Sequence, residues 1–158
     1  MRITADTNIL VRAAVGDDPD QSRLAAEVLL GAEVVAVTLP TLCEFVWVLK
    51  RGYGVEGGAI ATAIRRLVDS ASVRADRPAV DAGLAVFEAR GDFADGVIAF
   101  EGRRLGGSIF TSFDRRAIEA DRGNRRGDAF VVCRMTVAAA SCARGWPVYR
   151  LLLFASPG

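Results

Sequence analysis

Apolar residues come in short runs that switch between strand-like and helical spacing, and that alternation predicts an α/β chain. Met1-Arg-Ile-Thr-Ala-Asp-Thr-Asn8 reads as a short buried strand in which Ile3 and Ala5 pack and which ends on the carboxylate of Asp6. Thr7 to Val15, with Ile9, Leu10 and Val11 near a polar start, fits a short helix capped from Asp6 or Thr7 and broken at Gly16-Asp-Asp-Pro19. A second helix has Pro19 in its first turn, carries Leu24, Val28 and Leu29, and ends at Gly31. Glu33-Val-Val-Ala-Val37 is β-branched and short, a buried strand. Thr38-Leu-Pro40 then opens the most apolar helix, through Leu42, Phe45, Val46, Trp47, Val48 and Leu49 to the neighbourhood of Gly52. Glu44 sits inside that run. A carboxylate on a helix apolar almost all round costs free energy unless a cation or hydrogen bonds compensate.

Ile60, Ile64, Leu67 and Val68 recur at helical spacing as far as Asp69, and Ser72-Val-Arg74 is a candidate third strand. Asp76 and Pro78 launch a helix with Val80, Leu84 and Phe87 on one face. Gly91-Asp-Phe-Ala-Asp95 leads into another, with Val97, Ile98, Phe100 and Leu105, which ends before Gly106-Gly107. Ser108-Ile-Phe-Thr111 reads as a short strand with Ser112-Phe-Asp114 at its carboxyl end, repeating the strand–acid junction at Asp6. Past Ala120 no hydrophobic period survives, and Val131-Val-Cys133 and Val148 to Phe154 are apolar runs without clear register. The expected architecture is a three-layer α/β sandwich, a short central parallel sheet flanked by helices. Residues 1–120 form the domain and residues 121–158 an atypical tail.

Composition narrows the chemistry. With 158 residues and 51% hydrophobic content, one core is expected. Cys43, Cys133 and Cys142 are odd in number and lack C-x-x-C spacing, so neither a disulfide framework nor a zinc knuckle is indicated. No signal peptide or membrane-spanning run is read, and a soluble cytoplasmic protein is expected. The chain has no histidine, which removes Ser-His-Asp and Cys-His hydrolysis, H-E-x-x-H zinc sites and imidazole bases. Of the 20 basic residues only Lys50 is lysine, so the positive charge is almost all guanidinium. Residues 1–120 carry 14 Arg/Lys against 17 Asp/Glu and are mildly acidic, whereas residues 121–158 carry 6 Arg against 2 Asp.

Carboxylates must therefore do any acid–base or metal chemistry. Ligands of parallel α/β sheets collect beyond the carboxyl ends of the strands. Asp6 and Asp114 stand at such ends, Glu44 lies on the apolar helix and Asp95 in a helix's first turn. Four acids in one crevice cannot all stay ionised unscreened. A hard divalent cation, Mg²⁺ or Mn²⁺, resolves the conflict, and an all-oxygen site disfavours zinc and copper. The implied chemistry is phosphodiester hydrolysis. Helix capping competes with this reading at Asp6, Asp92, Asp95 and Asp114, and Glu44 could instead face solvent or pair with an arginine. Asp6 is as good a cap as a ligand. Asp92 and Asp95 are spaced as N-cap and N3, which favours capping for Asp92 and metal for Asp95. Asn8 and Ser112 are expected as hydrogen-bonding supports or turn residues rather than ligands.

Four stretches carry a family resemblance: Ala5-Asp6-Thr-Asn-Ile-Leu10; Cys43-Glu44-Phe-Val-Trp-Val-Leu49 with Arg51-Gly-Tyr-Gly54; Asp92-Phe-Ala-Asp95-Gly-Val-Ile-Ala99; and Thr111-Ser-Phe-Asp114-Arg. In this order they resemble PIN-domain ribonucleases of the VapC toxin type. The resemblance implies a small parallel-sheet α/β fold and an Mg²⁺- or Mn²⁺-dependent endoribonuclease. It further implies a homodimer neutralised by a cognate VapB-type antitoxin, which alone contacts DNA. Asp6, Glu44, Asp95 and Asp114 take the metal-site roles by this match, and Ser112 stands where the family often has threonine. An antitoxin arginine could block such an acidic pocket.

The tail departs from the family, whose members usually finish soon after the fourth acid. A frameshift would account for it: Asp121-Arg-Gly-Asn-Arg-Arg-Gly can be encoded by codons that, displaced by one base, read Ile-Gly-Glu-Thr-Ala-Ala. The alternative function is then a catalytically impaired PIN-like subunit that only binds an antitoxin. A haloacid-dehalogenase-like phosphatase or a receiver domain fits less well. The phosphatase needs an acid at position 8, which is Asn, and both need a lysine near the site, where Lys50 ends a helix.

Overall fold

The structure, a computed structural model, describes residues 1–112. Strands β1 (Arg2–Thr4), β2 (Val34–Ala36) and β3 (Val73–Arg74) form one sheet in the order β1-β2-β3. All pairing is parallel, with Ile3 opposite Val35 and Val35 opposite Val73. Helices α1 (Thr7–Val15) and α2 (Pro19–Gly31) connect β1 to β2. Helix α3 (Leu39–Trp47), a π-helical turn (Val48–Gly52) and α4 (Gly57–Asp69) connect β2 to β3, and α5 (Arg77–Glu88) and α6 (Phe93–Arg104) follow. Such crossovers are what parallel pairing demands. Val35 is 1% exposed while Val34 and Ala36, on the opposite face of the same strand, are half-buried, so both faces of the sheet are covered. This is the expected three-layer α/β arrangement.

Local chemistry sets the helix boundaries. Gly16 closes α1 in the left-handed conformation at φ 74°, which glycine adopts without a Cβ clash. The Asp18 and Asp76 carboxylates accept the amides of Gln21 (3.0 Å) and Ala79 (3.3 Å) to start α2 and α5, and Pro19 and Pro78 occupy first-turn positions that need no donor. α5 ends through the amides of Arg90 and Gly91, which donate to Phe87 O (3.1 Å) and Val86 O (2.9 Å). The core gathers Leu42, Ile60, Ile64, Val80 and Phe93 from four helices around Val35.

Two expectations are corrected. The apolar helix is not apolar all round: Pro40, Glu44, Trp47 and Arg51 form an exposed stripe at helical spacing opposite the buried Leu42, Phe45, Val46 and Leu49. Its regular α-geometry also stops at Trp47 and continues as the π turn. Ser108–Thr111 is not a strand. Only two of its residues are apolar and Ile109 is 47% exposed, so little burial draws this stretch onto the sheet. The expected tail, 121–158, and the frameshift reading of it lie outside the described residues.

The α5–α6 contact is unusually close. A Cβ on Gly96 would lie 2.5 Å from the Ala82 carbonyl oxygen and 2.8 Å from Gly83 Cα. A Cβ on Gly83 would meet the Phe93 ring at 2.7 Å. Two glycines therefore let the helix carrying Asp92 and Asp95 press backbone to backbone against α5.

Candidate active site

Asp6 follows β1 directly and occupies the N-cap position of α1, with extended backbone (φ −85°, ψ 160°). The preceding Ala5 is buried, and its amide donates to Ala36 O (2.9 Å), so the sheet fixes where Asp6 emerges. Its side chain is exposed and accepts no amide from α1. Its carboxylate accepts a long contact, 3.5 Å, from Asn8 Nδ2. Asn8 thus stands beside Asp6 as an amide donor.

Thr7 joins this corner to α3. It is 5% exposed, and its hydroxyl donates to Glu44 Oε2 at 2.6 Å across 37 residues of chain. Glu44 is exposed, which corrects the expectation of a buried carboxylate: it lies on the solvent stripe of α3. Thr7 was not singled out as a site residue from sequence. The signal available was a hydroxyl immediately after the strand-end acid, one position inside the helix.

At α6, Asp92 is the N-cap and accepts the Ala94 amide at 2.9 Å, as expected. Asp95 is half-buried in the first turn, a position where the helix dipole favours negative charge. Helix α3 packs against both α1 and α6. Burial, and then the negative charge of Asp92, push the Cys43 thiol above its usual range.

The donors on these elements are carboxylates, hydroxyls and an amide, oxygen chemistry that suits a hard divalent ion. Among the described residues, no three His, Cys, Asp or Glu side chains approach closely enough to hold a metal ion by themselves. Asp114 lies outside the described residues, and Ser112 is half-buried near their end. Arg12 is committed to Asp17 through two bonds of 2.6 and 2.7 Å, and Tyr53 OH donates to the same carboxylate at 2.8 Å. No helix of the described residues is long and apolar enough to cross a membrane.

No individual curated protein matches the chain. The PIN domain, typically a metal-dependent nuclease that commonly uses divalent metals, matches residues 3–123. Apart from Arg2, that span contains the sheet and the six helices of the described residues, and it covers well over half of the 158 residues, so the chain belongs to the PIN domain family.

Proposed function

We propose that this protein is an Mg²⁺- or Mn²⁺-dependent endoribonuclease that hydrolyses RNA phosphodiester bonds, and that it is the toxic component of a VapBC-type toxin–antitoxin pair. The observation that carries the nuclease reading is Asp6: an exposed carboxylate at the end of a parallel strand and the start of a helix, bonded to none of that helix's amides. Asp6, Glu44, Asp95 and Asp114 would hold the ion. When bound, a divalent ion supplies charge neutralisation at the phosphate and a more acidic water. The chain's residues supply position. The sheet delivers Asp6 to the crevice, Thr7 holds the Glu44 carboxylate toward α1, and the α5–α6 glycine contact fixes Asp95. Asn8 and Ser112 support the acids through hydrogen bonds. The choice of RNA, the homodimer and a VapB-type antitoxin rest on the resemblance of the four motifs.

A second reading, a catalytically impaired PIN-like subunit that binds an antitoxin, draws on the departure of the tail, residues 121–158, from the family pattern. Cleavage of structured RNA in Mn²⁺ separates the two. The nuclease reading expects cleavage by the wild type, abolition by chelator, and loss in Asp6→Asn and Asp95→Asn. A folded wild type that is inert with metal present supports the binding module.

A further inference from the structure

We propose that Trp47 and Arg51 form a binding track for single-stranded RNA beside the acidic region, with the Trp47 indole stacked on a nucleobase and the Arg51 guanidinium on a neighbouring phosphate. This rests on the nuclease reading and adds the part of the substrate that the chain grips outside the reacting phosphate.

The exposed stripe of α3 sets the line of the track. Glu44, which Thr7 ties to the Asp6 corner, is followed three residues later by Trp47 and four residues after that by Arg51. At about 1.5 Å of rise per α-helical residue, Trp47 stands about 4.5 Å further along the axis than Glu44, and Arg51 lies in the π turn that follows. Trp47 is 62% exposed, while the core side of α3 is filled by Leu42, Phe45, Val46 and Leu49. A tryptophan here contributes little to the core. Among the described residues its indole N–H has no hydrogen-bond partner and its ring meets no other ring.

Arg51 is equally uncommitted. Arg12, Arg23, Arg65, Arg77 and Arg104 each pair with a carboxylate, whereas Arg51 is exposed and pairs with none among the described residues. Its backbone is nevertheless held. Tyr53 N–H donates to Val48 O (3.2 Å) and Val55 N–H to Leu49 O (3.0 Å), and the Tyr53 hydroxyl is anchored on Asp17. A fixed backbone carrying an open aromatic face and, in the π turn that follows, an unpaired guanidinium suits a single strand, which offers a π-face and a phosphate with each nucleotide. A protein partner would favour a contiguous apolar patch, but the neighbours of Trp47 on this stripe are an acid and an arginine.

The test uses full-length protein in an Asp6→Asn, Trp146→Phe background, so that RNA is not cleaved and Trp47 is the sole tryptophan. Adding a single-stranded oligoribonucleotide should quench Trp47 fluorescence. By anisotropy of a labelled oligoribonucleotide, Trp47→Ala should weaken binding about tenfold, while Trp47→Phe, which keeps an aromatic face, should stay within about threefold. Arg51→Ala should weaken binding and reduce the slope of log K against log salt by about 0.7. Unchanged affinity in folded Trp47→Ala overturns the track. So does a Trp47→Ala protein that changes from dimer to monomer while each protomer binds RNA as before, because the stripe is then a protein interface. Cleavage in Mn²⁺ with Asp6 restored keeps the two claims apart. Cleavage that Trp47→Ala leaves intact removes the track alone, quenching without any cleavage removes the nuclease alone, and a wild type that neither binds nor cleaves RNA removes both.

Discussion

Helices α1 and α6 both begin on an aspartate in extended conformation, and the two carboxylates are used differently. Asp92 turns back to accept the Ala94 amide, as Asp18 and Asp76 do for α2 and α5. Asp6 has nearly the same backbone angles (φ −85°, ψ 160° against φ −99°, ψ 139°) and makes no such bond. An N-cap bond is worth about 1 kcal/mol. That stabilisation is realised at Asp92 and forgone at Asp6, whose carboxylate is exposed at the end of β1. The same residue type at the same helical position is structural in one region and available for chemistry in the other.

The contrast depends on α6 being held where it is, so the largest disturbance should come from Gly96→Ala. The new methyl would meet the Ala82 and Gly83 backbone, which cannot rotate away, and overpacking of this kind costs about 1–3 kcal/mol. Thermal unfolding should fall by roughly 5 °C, and RNA cleavage should drop with it because Asp95 moves with the helix. An unchanged melting temperature would mean that α5 and α6 are not in backbone contact.

Thr7→Val sharpens the Asp6 side. Valine fills the buried site but cannot donate to Glu44, so cleavage should fall about tenfold, at the low end of what a misplaced catalytic group costs, with little change in stability. Thr7→Ser, which keeps the hydroxyl, should retain most activity. Equal activity in the Val and Ser variants would show that the 2.6 Å bond does not position Glu44.

Asp92→Ala should do the reverse of a substitution at Asp6. Loss of the cap costs about 1 kcal/mol, read as a melting temperature lower by roughly 3 °C, while most cleavage survives. A variant as stable as wild type but inactive would move Asp92 from cap to ligand.

The smallest effect is on pH. Hydrogen bonds from Arg12, and then from Tyr53, hold the Asp17 carboxyl below its usual range. A carboxylate depressed in the folded state stabilises above its unfolded value and loses that contribution as pH falls through the folded one. Acid unfolding below about pH 4 should therefore be shifted slightly toward neutral pH in Tyr53→Phe. No shift would show that the Tyr53–Asp17 bond is not maintained in solution.

Much of this was legible in the chain because local signals agree with one another. β-branched Val34-Val-Ala36, the Asp-Pro starts of α2 and α5, and Gly16 each specify an element by short-range chemistry, and the first three strands and six helices lie where those signals predict. The Asp92 cap was legible for the same reason. Three features were not. The exposure of Glu44 depends on which face of α3 meets the sheet, and an apolar-rich helix hides that choice until its partners are in place. The Thr7–Glu44 bond joins residues 37 apart in the chain, beyond the reach of any local pattern. Ser108–Thr111 has only two apolar residues, and Ile109 is 47% exposed, so a short apolar pair bounded by hydroxyls did not by itself specify a strand.

Isothermal titration of Mn²⁺ into full-length wild type, Asp6→Asn and Asp92→Asn tests the central contrast most directly. Wild type and Asp92→Asn should bind Mn²⁺ alike, and Asp6→Asn should bind at least about tenfold more weakly while melting within about 1 °C of wild type. Equal Mn²⁺ binding by wild type and Asp6→Asn, or loss of binding in Asp92→Asn alone, would contradict it.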